Sequence, residues 1–152
     1  RILDEDFFKR NKPVSMYRAG ALSLRLDEFS YLPDGVRIKF SVENKNTNRD
    51  EPLEDPGRVY AHEVTGSINP PYSFFVYFVL DEHGNKIRDI GKSLPLFEGK
   101  KVIPPGYTVE GTLYISTKEL GITGARYIVG DLNLFGMGEG GRVYVRDVIT
   151  LK

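Results

Sequence analysis

At 152 residues the chain has the length of one domain, long enough to bury a core without metals or disulfides. Its 21 basic and 21 acidic side chains cancel, so it lacks the basic footprint with which nucleic-acid binders displace counterions. There is no cysteine, which excludes disulfide scaffolds, zinc ribbons, thiol nucleophiles and iron–sulfur sites.

Neutrality also removes a safeguard against self-association, because like-charge repulsion helps keep proteins monomeric. Nine Phe and nine Tyr supply large apolar side chains that suit pleated, half-buried strands. No apolar run approaches the roughly 20 residues that span a bilayer. The chain begins at Arg1 rather than Met. It is therefore expected to be a mature or excised piece, with room for a signal or membrane anchor upstream.

Residues 1–13 form an N-terminal segment with apolar side chains at Ile2, Leu3, Phe7 and Phe8. A helical turn or two ending at Pro13 is expected, packed on the domain by its phenylalanines. The alternative is the end of a linker from an anchor. Residues 14–152 are expected to form a single β-sandwich domain.

From Val14 the period is two. Leu22, Leu24 and Leu26 alternate with Ser23, Arg25 and Asp27. After a turn at Pro33, Asp34 and Gly35, residues Val36, Ile38, Phe40 and Val42 alternate with Arg37, Lys39, Ser41 and Glu43. The two strands read as an antiparallel hairpin. A polar stretch at 44–58, a candidate strand at 58–64 and a proline-stiffened loop at 65–71 follow.

Residues 72–80 are apolar on both faces, as in a strand covered on two sides. Simple alternation puts Phe75, Tyr77 and Val79 on one side, with Phe74, Phe78 and Leu80 on the other. One side must be core; the other is a second buried layer or a contact surface. After the turn at 81–85, residues 86–90, 94–97 and 101–103 read as short extended pieces. Pro95 and Gly99 interrupt them, as at a sheet edge.

Val109, Gly111, Leu113 and Ile115 share one register of the next strand. Residues 117–120 read as one helical turn closed by Gly121. Strands at 126–135 and 142–151 end the chain, joined by the glycine-rich stretch 136–141. With no helix long enough for a parallel βαβ sheet, the expectation is an all-β, Ig-like antiparallel sandwich of about seven to nine strands.

No motif supplies catalysis. The glycine-rich stretch lies between strands rather than at a strand-to-helix junction, so it reads as a hairpin tip, not a phosphate cradle. His62 and Glu63 are adjacent in a strand and face opposite ways, so they cannot share an ion. His83 sits in a polar turn. Asp50, Glu51, Glu54 and Asp55 are candidate ligands for a hard cation, which takes about six to eight oxygens. Their spacing is not that of an EF-hand, and flanking Arg49 and Arg58 favour a solvated loop. Phe74, Phe75, Tyr77 and Phe78, with Leu94 and Phe97 at the expected edge, are the candidate partner-binding residues.

Three stretches carry a family resemblance: residues 36–44, a strand ending in Glu43 and Asn44; residues 78–85, a strand followed by an Asp-x-x-Gly turn; and residues 103–106, Ile-Pro-Pro-Gly, before the strand at 108–115. Across residues 21–116 the chain resembles extracytoplasmic Ig-like β-sandwich domains. It is loosely similar to the FxLYD-like domains of bacterial and archaeal secreted proteins. Phe78, Val79, Leu80 and Asp81 stand where that family has its tetrapeptide. The resemblance implies the fold and a periplasmic, cell-surface or secreted address, and it implies no catalytic residues.

The expected function is a non-catalytic binding or assembly domain, using loops or a sheet edge to hold a protein partner or a second copy. No enzyme activity, cofactor or nucleic acid is expected. The alternatives are a carbohydrate- or other ligand-binding module with Tyr and Phe platforms, and a jelly-roll-type coat protein.

Overall fold

The computed structural model describes residues 2–11, 15–19, 22–45, 51–52, 73–97, 102–103, 105–136 and 141–152. Their elements in chain order are β1 (Ile2–Leu3), α1 (Glu5–Arg10), β2 (Ser15–Ala19), β3 (Leu22–Leu32) and β4 (Gly35–Asn44). There follow β5 (Glu51–Pro52), β6 (Ser73–Leu80), β7 (Lys86–Pro95), β8 (Val102–Ile103) and β9 (Thr108–Ser116). A single helical turn, α2 (Thr117–Leu120), precedes β10 (Tyr127–Gly136) and β11 (Gly141–Thr150).

The strands form a five-stranded sheet, β1-β11-β10-β6-β7, and a four-stranded sheet, β2-β3-β4-β9. A two-residue pair, β5 with β8, stands apart from them. All pairings are antiparallel except that of β1 with β11. The expected all-β sandwich is therefore present. The orders β3-β4-β9 and β11-β10-β6-β7 follow the A-B-E and G-F-C-C′ strand orders of immunoglobulin sandwiches.

Alternation builds the core. Leu22, Leu24, Leu26, Val36, Ile38, Phe40, Val42, Leu113 and Ile115 come from one sheet; Phe74, Val76, Val79, Ile128, Leu132 and Ile149 come from the other. All are buried. In β3 the register shifts between Leu26 and Glu28, leaving Asp27 as an extra residue. The inward set therefore moves from even to odd numbers, and Phe29 is buried.

The N-terminal segment packs on the sandwich through Leu3 and Phe8, both buried. Asp4 caps α1, its carboxylate accepting the Phe7 N–H at 2.7 Å. The Phe8 ring lies 5.5 Å from Phe29, and Phe29 meets Tyr31 edge-on at 5.1 Å. A buried Phe truncated to Ala costs about 3–5 kcal/mol. Phe8→Ala is expected to lower the urea midpoint accordingly; an unchanged midpoint would show that the segment is not part of the cooperative unit.

Residues 86–95 form one strand, not the two separate pieces expected from the sequence. Beyond it, Leu96 and Phe97 turn inward. Phe97 meets Phe40 edge-on at 5.1 Å, and both rings lie against Gly111. A Cβ at Gly111 would stand 2.5 Å from the Phe40 ring and 2.8 Å from that of Phe97. Such overpacking costs about 1–3 kcal/mol. Gly111→Ala is expected to destabilise the chain by that much in chemical denaturation, and a neutral result would refute this packing.

Candidate functional site

The aromatic strand β6 does not alternate as expected. Opposite β10, Val129 pairs with Phe78 and Gly130 with Val76, so Tyr77 is an extra residue. Opposite β7, Val76 faces Lys92 and Phe78 faces Asp89, so Ile90 and Gly91 share the place across from Tyr77. Gly91 takes φ +64°, which a side chain rarely adopts. The irregularity reverses the faces midway along the strand. Phe74, Val76 and Val79 point into the core, while Phe75 and Tyr77 point out.

This corrects the expected partner surface. Phe74 and Phe97 are 2 % and 6 % exposed and belong to the core. Leu94 is half-buried and packed against that core. Phe78 is half-buried, with the Lys86 ammonium 5.9 Å above its ring. Only Phe75 and Tyr77 of the expected set share an outward patch.

Register places Phe75, Asp131 and Arg146 in one row across β6, β10 and β11. The Asp131 carboxylate accepts the Tyr77 hydroxyl at 2.8 Å and the Arg146 Nε–H at 2.6 Å. The Arg146 guanidinium lies 4.8 Å over the Tyr77 ring, and Phe75 approaches that ring at 4.8 Å. Asp131 is only 8 % exposed, so its charge is held by these two donors. Tyr77 already engages neighbours through both its ring and its hydroxyl, and is a poor stacking platform for a sugar.

Asp50, Glu54, Asp55 and His62 lie outside the described residues, as does most of the glycine-rich stretch. Glu51 lies in β5, paired with Ile103. Among the described residues no group of three or more His, Cys, Asp or Glu side chains is placed to hold a metal. β10 and β11 pair up to Gly136 and Gly141, as a hairpin requires. His83 is a turn residue: Asp81 accepts the backbone N–H groups of His83 and Asn85, each at 2.9 Å. Those donors lower the Asp81 pKa.

The outer face of the other sheet is polar. Glu28 stands 3.7 Å from Arg37 and 3.6 Å from Lys39, and Arg25 pairs with Asp27. A shallow depression of about 480 Å³ lies among Arg25, Glu28, Lys39, Glu110 and Thr112. Tyr114, on the same face, is 62 % exposed.

Sequence reasoning missed the edge beside it. Among the described residues β9 pairs only with β4, in nine consecutive pairs without a bulge. The Asn44 N–H donates to the Tyr107 carbonyl at 3.0 Å, and the Thr117 N–H to that of Asp34 at 2.7 Å. Antiparallel bonding alternates, so odd-numbered β9 residues bond to β4. Thr108, Glu110, Thr112, Tyr114 and Ser116 turn their N–H and C=O groups to the other side. The sequence marked β9 as a strand but held no sign of its neighbours.

The Asp131 hydrogen bond raises the Tyr77 pKa, with burial adding to it. Because the fold favours the neutral phenol, this contribution is complete below the unfolded value near 10.0 and is lost as pH rises through the folded one. In ultraviolet difference titration, the component removed by Tyr77→Phe is expected to move down towards 10.0 in Asp131→Asn. An unmoved component would refute the pairing. No protein family, curated protein or solved structure matches this chain.

Proposed function

We propose that this chain is a non-catalytic binding or assembly domain that accepts a further β-strand along the open edge of β9. The contrast between two edges carries this reading. β7 breaks its ladder twice and bears Lys86, Arg88 and Lys92, features that blunt an edge against pairing. β9 runs nine residues in unbroken register with no Pro, Lys or Arg, and Glu110 is its one charge. An added strand would gain main-chain hydrogen bonds from the outward groups of β9, and side-chain specificity from Glu110, Thr112 and Tyr114. The extracytoplasmic address implied by the family resemblance is part of the same proposal.

Tyr114 supports a second reading. Exposed beside the polar depression, it is a better sugar platform than Tyr77. Glycan binding abolished by Tyr114→Ala but kept in Tyr77→Phe would favour it.

Strand acceptance is tested by amide hydrogen exchange in dilute protein. Excess synthetic peptide with the sequence of residues 108–116 is expected to slow exchange at Glu110, Thr112 and Tyr114, leaving β7 amides unchanged. Equal exchange with and without peptide would overturn the reading.

A further inference from the structure

We infer that the strand β9 accepts is the β9 of a second copy, paired antiparallel about a two-fold axis at Thr112. The inference rests on β9 being a strand-accepting edge, and adds the partner and the register.

The backbone parity limits the choices. Only even-numbered residues offer N–H and C=O groups to the open side, so each must face an even-numbered residue of the partner strand. A two-fold at Thr112 pairs Thr108 with Ser116, Glu110 with Tyr114, and Thr112 with its own copy. All the outward groups of the strand are then used, giving up to about ten hydrogen bonds, two per facing pair. Moving the axis one residue, to Gly111 or Leu113, leaves Ser116 or Thr108 without a counterpart.

The side chains agree with this register. On the inner face Gly111 would lie opposite Leu113, and Val109 opposite Ile115. Val109 and Gly111 are half-buried in the single chain, so pairing extends an apolar layer already begun. On the outer face Thr112 meets Thr112, a favourable cross-strand pair. The two Glu110 residues would stand roughly 14 Å apart, from four residues of rise and one strand spacing. That exceeds the Debye length of about 8 Å at physiological ionic strength. With formal net charge zero, no global repulsion opposes two copies. The product is a continuous sheet, β2-β3-β4-β9 meeting its two-fold copy at β9.

Sedimentation and spin labelling of the full chain test this. The chain is expected to sediment as a concentration-dependent dimer, and Thr112→Pro as a monomer at every concentration. The Thr112 N–H makes no bond to β4, so the proline removes none of the existing ladder. A melting temperature close to the parent's would confirm that the variant is folded, and Thr112→Lys serves if it is not. The chain has no cysteine, so single substitutions at Glu110, Thr112 and Tyr114 take unique nitroxide labels. The shortest interspin distance is expected at position 112. A monomeric parent, a dimer that survives both substitutions, or a distance minimum elsewhere would overturn the inference. If peptide 108–116 still protects β9 in a monomeric parent, strand acceptance stands and only self-pairing fails; if it protects nothing, strand acceptance fails first.

Discussion

The period-two geometry of the strand governs this molecule, and single extra residues in two of its strands, β3 and β6, redirect it. In a sandwich every side chain is assigned to core or solvent by its parity, and one added residue reverses that assignment for the rest of the strand. Asp27 does this in β3, carrying the inward set from Leu26 to Phe29. Tyr77 does it in β6, carrying the set from Val76 to Val79. The displaced residue becomes a surface feature in each case: Asp27 pairs with Arg25, and Tyr77 joins Asp131 and Arg146.

The bulge opposite Tyr77 also shapes β7. By placing Ile90 and Gly91 across from one residue, it bends the strand that is outermost in its sheet among the described residues, and a second irregularity at Ile87 bends it again. Together with the lysines and arginine along that strand, these irregularities make it a poor template for pairing. β9, the last strand of the other sheet among the described residues, has neither device. Among the described residues one long edge is guarded and another left regular, and that asymmetry is the physical basis of the proposed function.

The core polar groups fit the same frame. Asp147 is buried on the inward face, where its cross-strand partner is Gly130 and the Tyr17 hydroxyl donates to it at 3.5 Å. A Cβ at Gly130 would collide with the Phe75 carbonyl and the Phe74 ring. A bare glycine there lets β6 and β10 approach closely at the point where the register of β6 shifts.

Much of the sandwich was legible in local pattern. The inward faces of the first half of β3, of β4 and of β9, the turns at 33–35 and 81–85, and the helical turn closed by Gly121 all follow from periodicity and turn chemistry within a few residues. Those signals are carried by the residues that form the structure, so no partner strand is needed to read them. Tertiary pairing alone decided that Tyr77 is an extra residue, that Phe74 and Phe97 are core, and that residues 86–95 form one bent strand. It also decided that β9 bonds to a β4 some seventy residues earlier in the chain and, among the described residues, ends its sheet. A bulge is a mismatch between two strands and an edge is the lack of a neighbour; both are relations between distant segments, on which local sequence is silent.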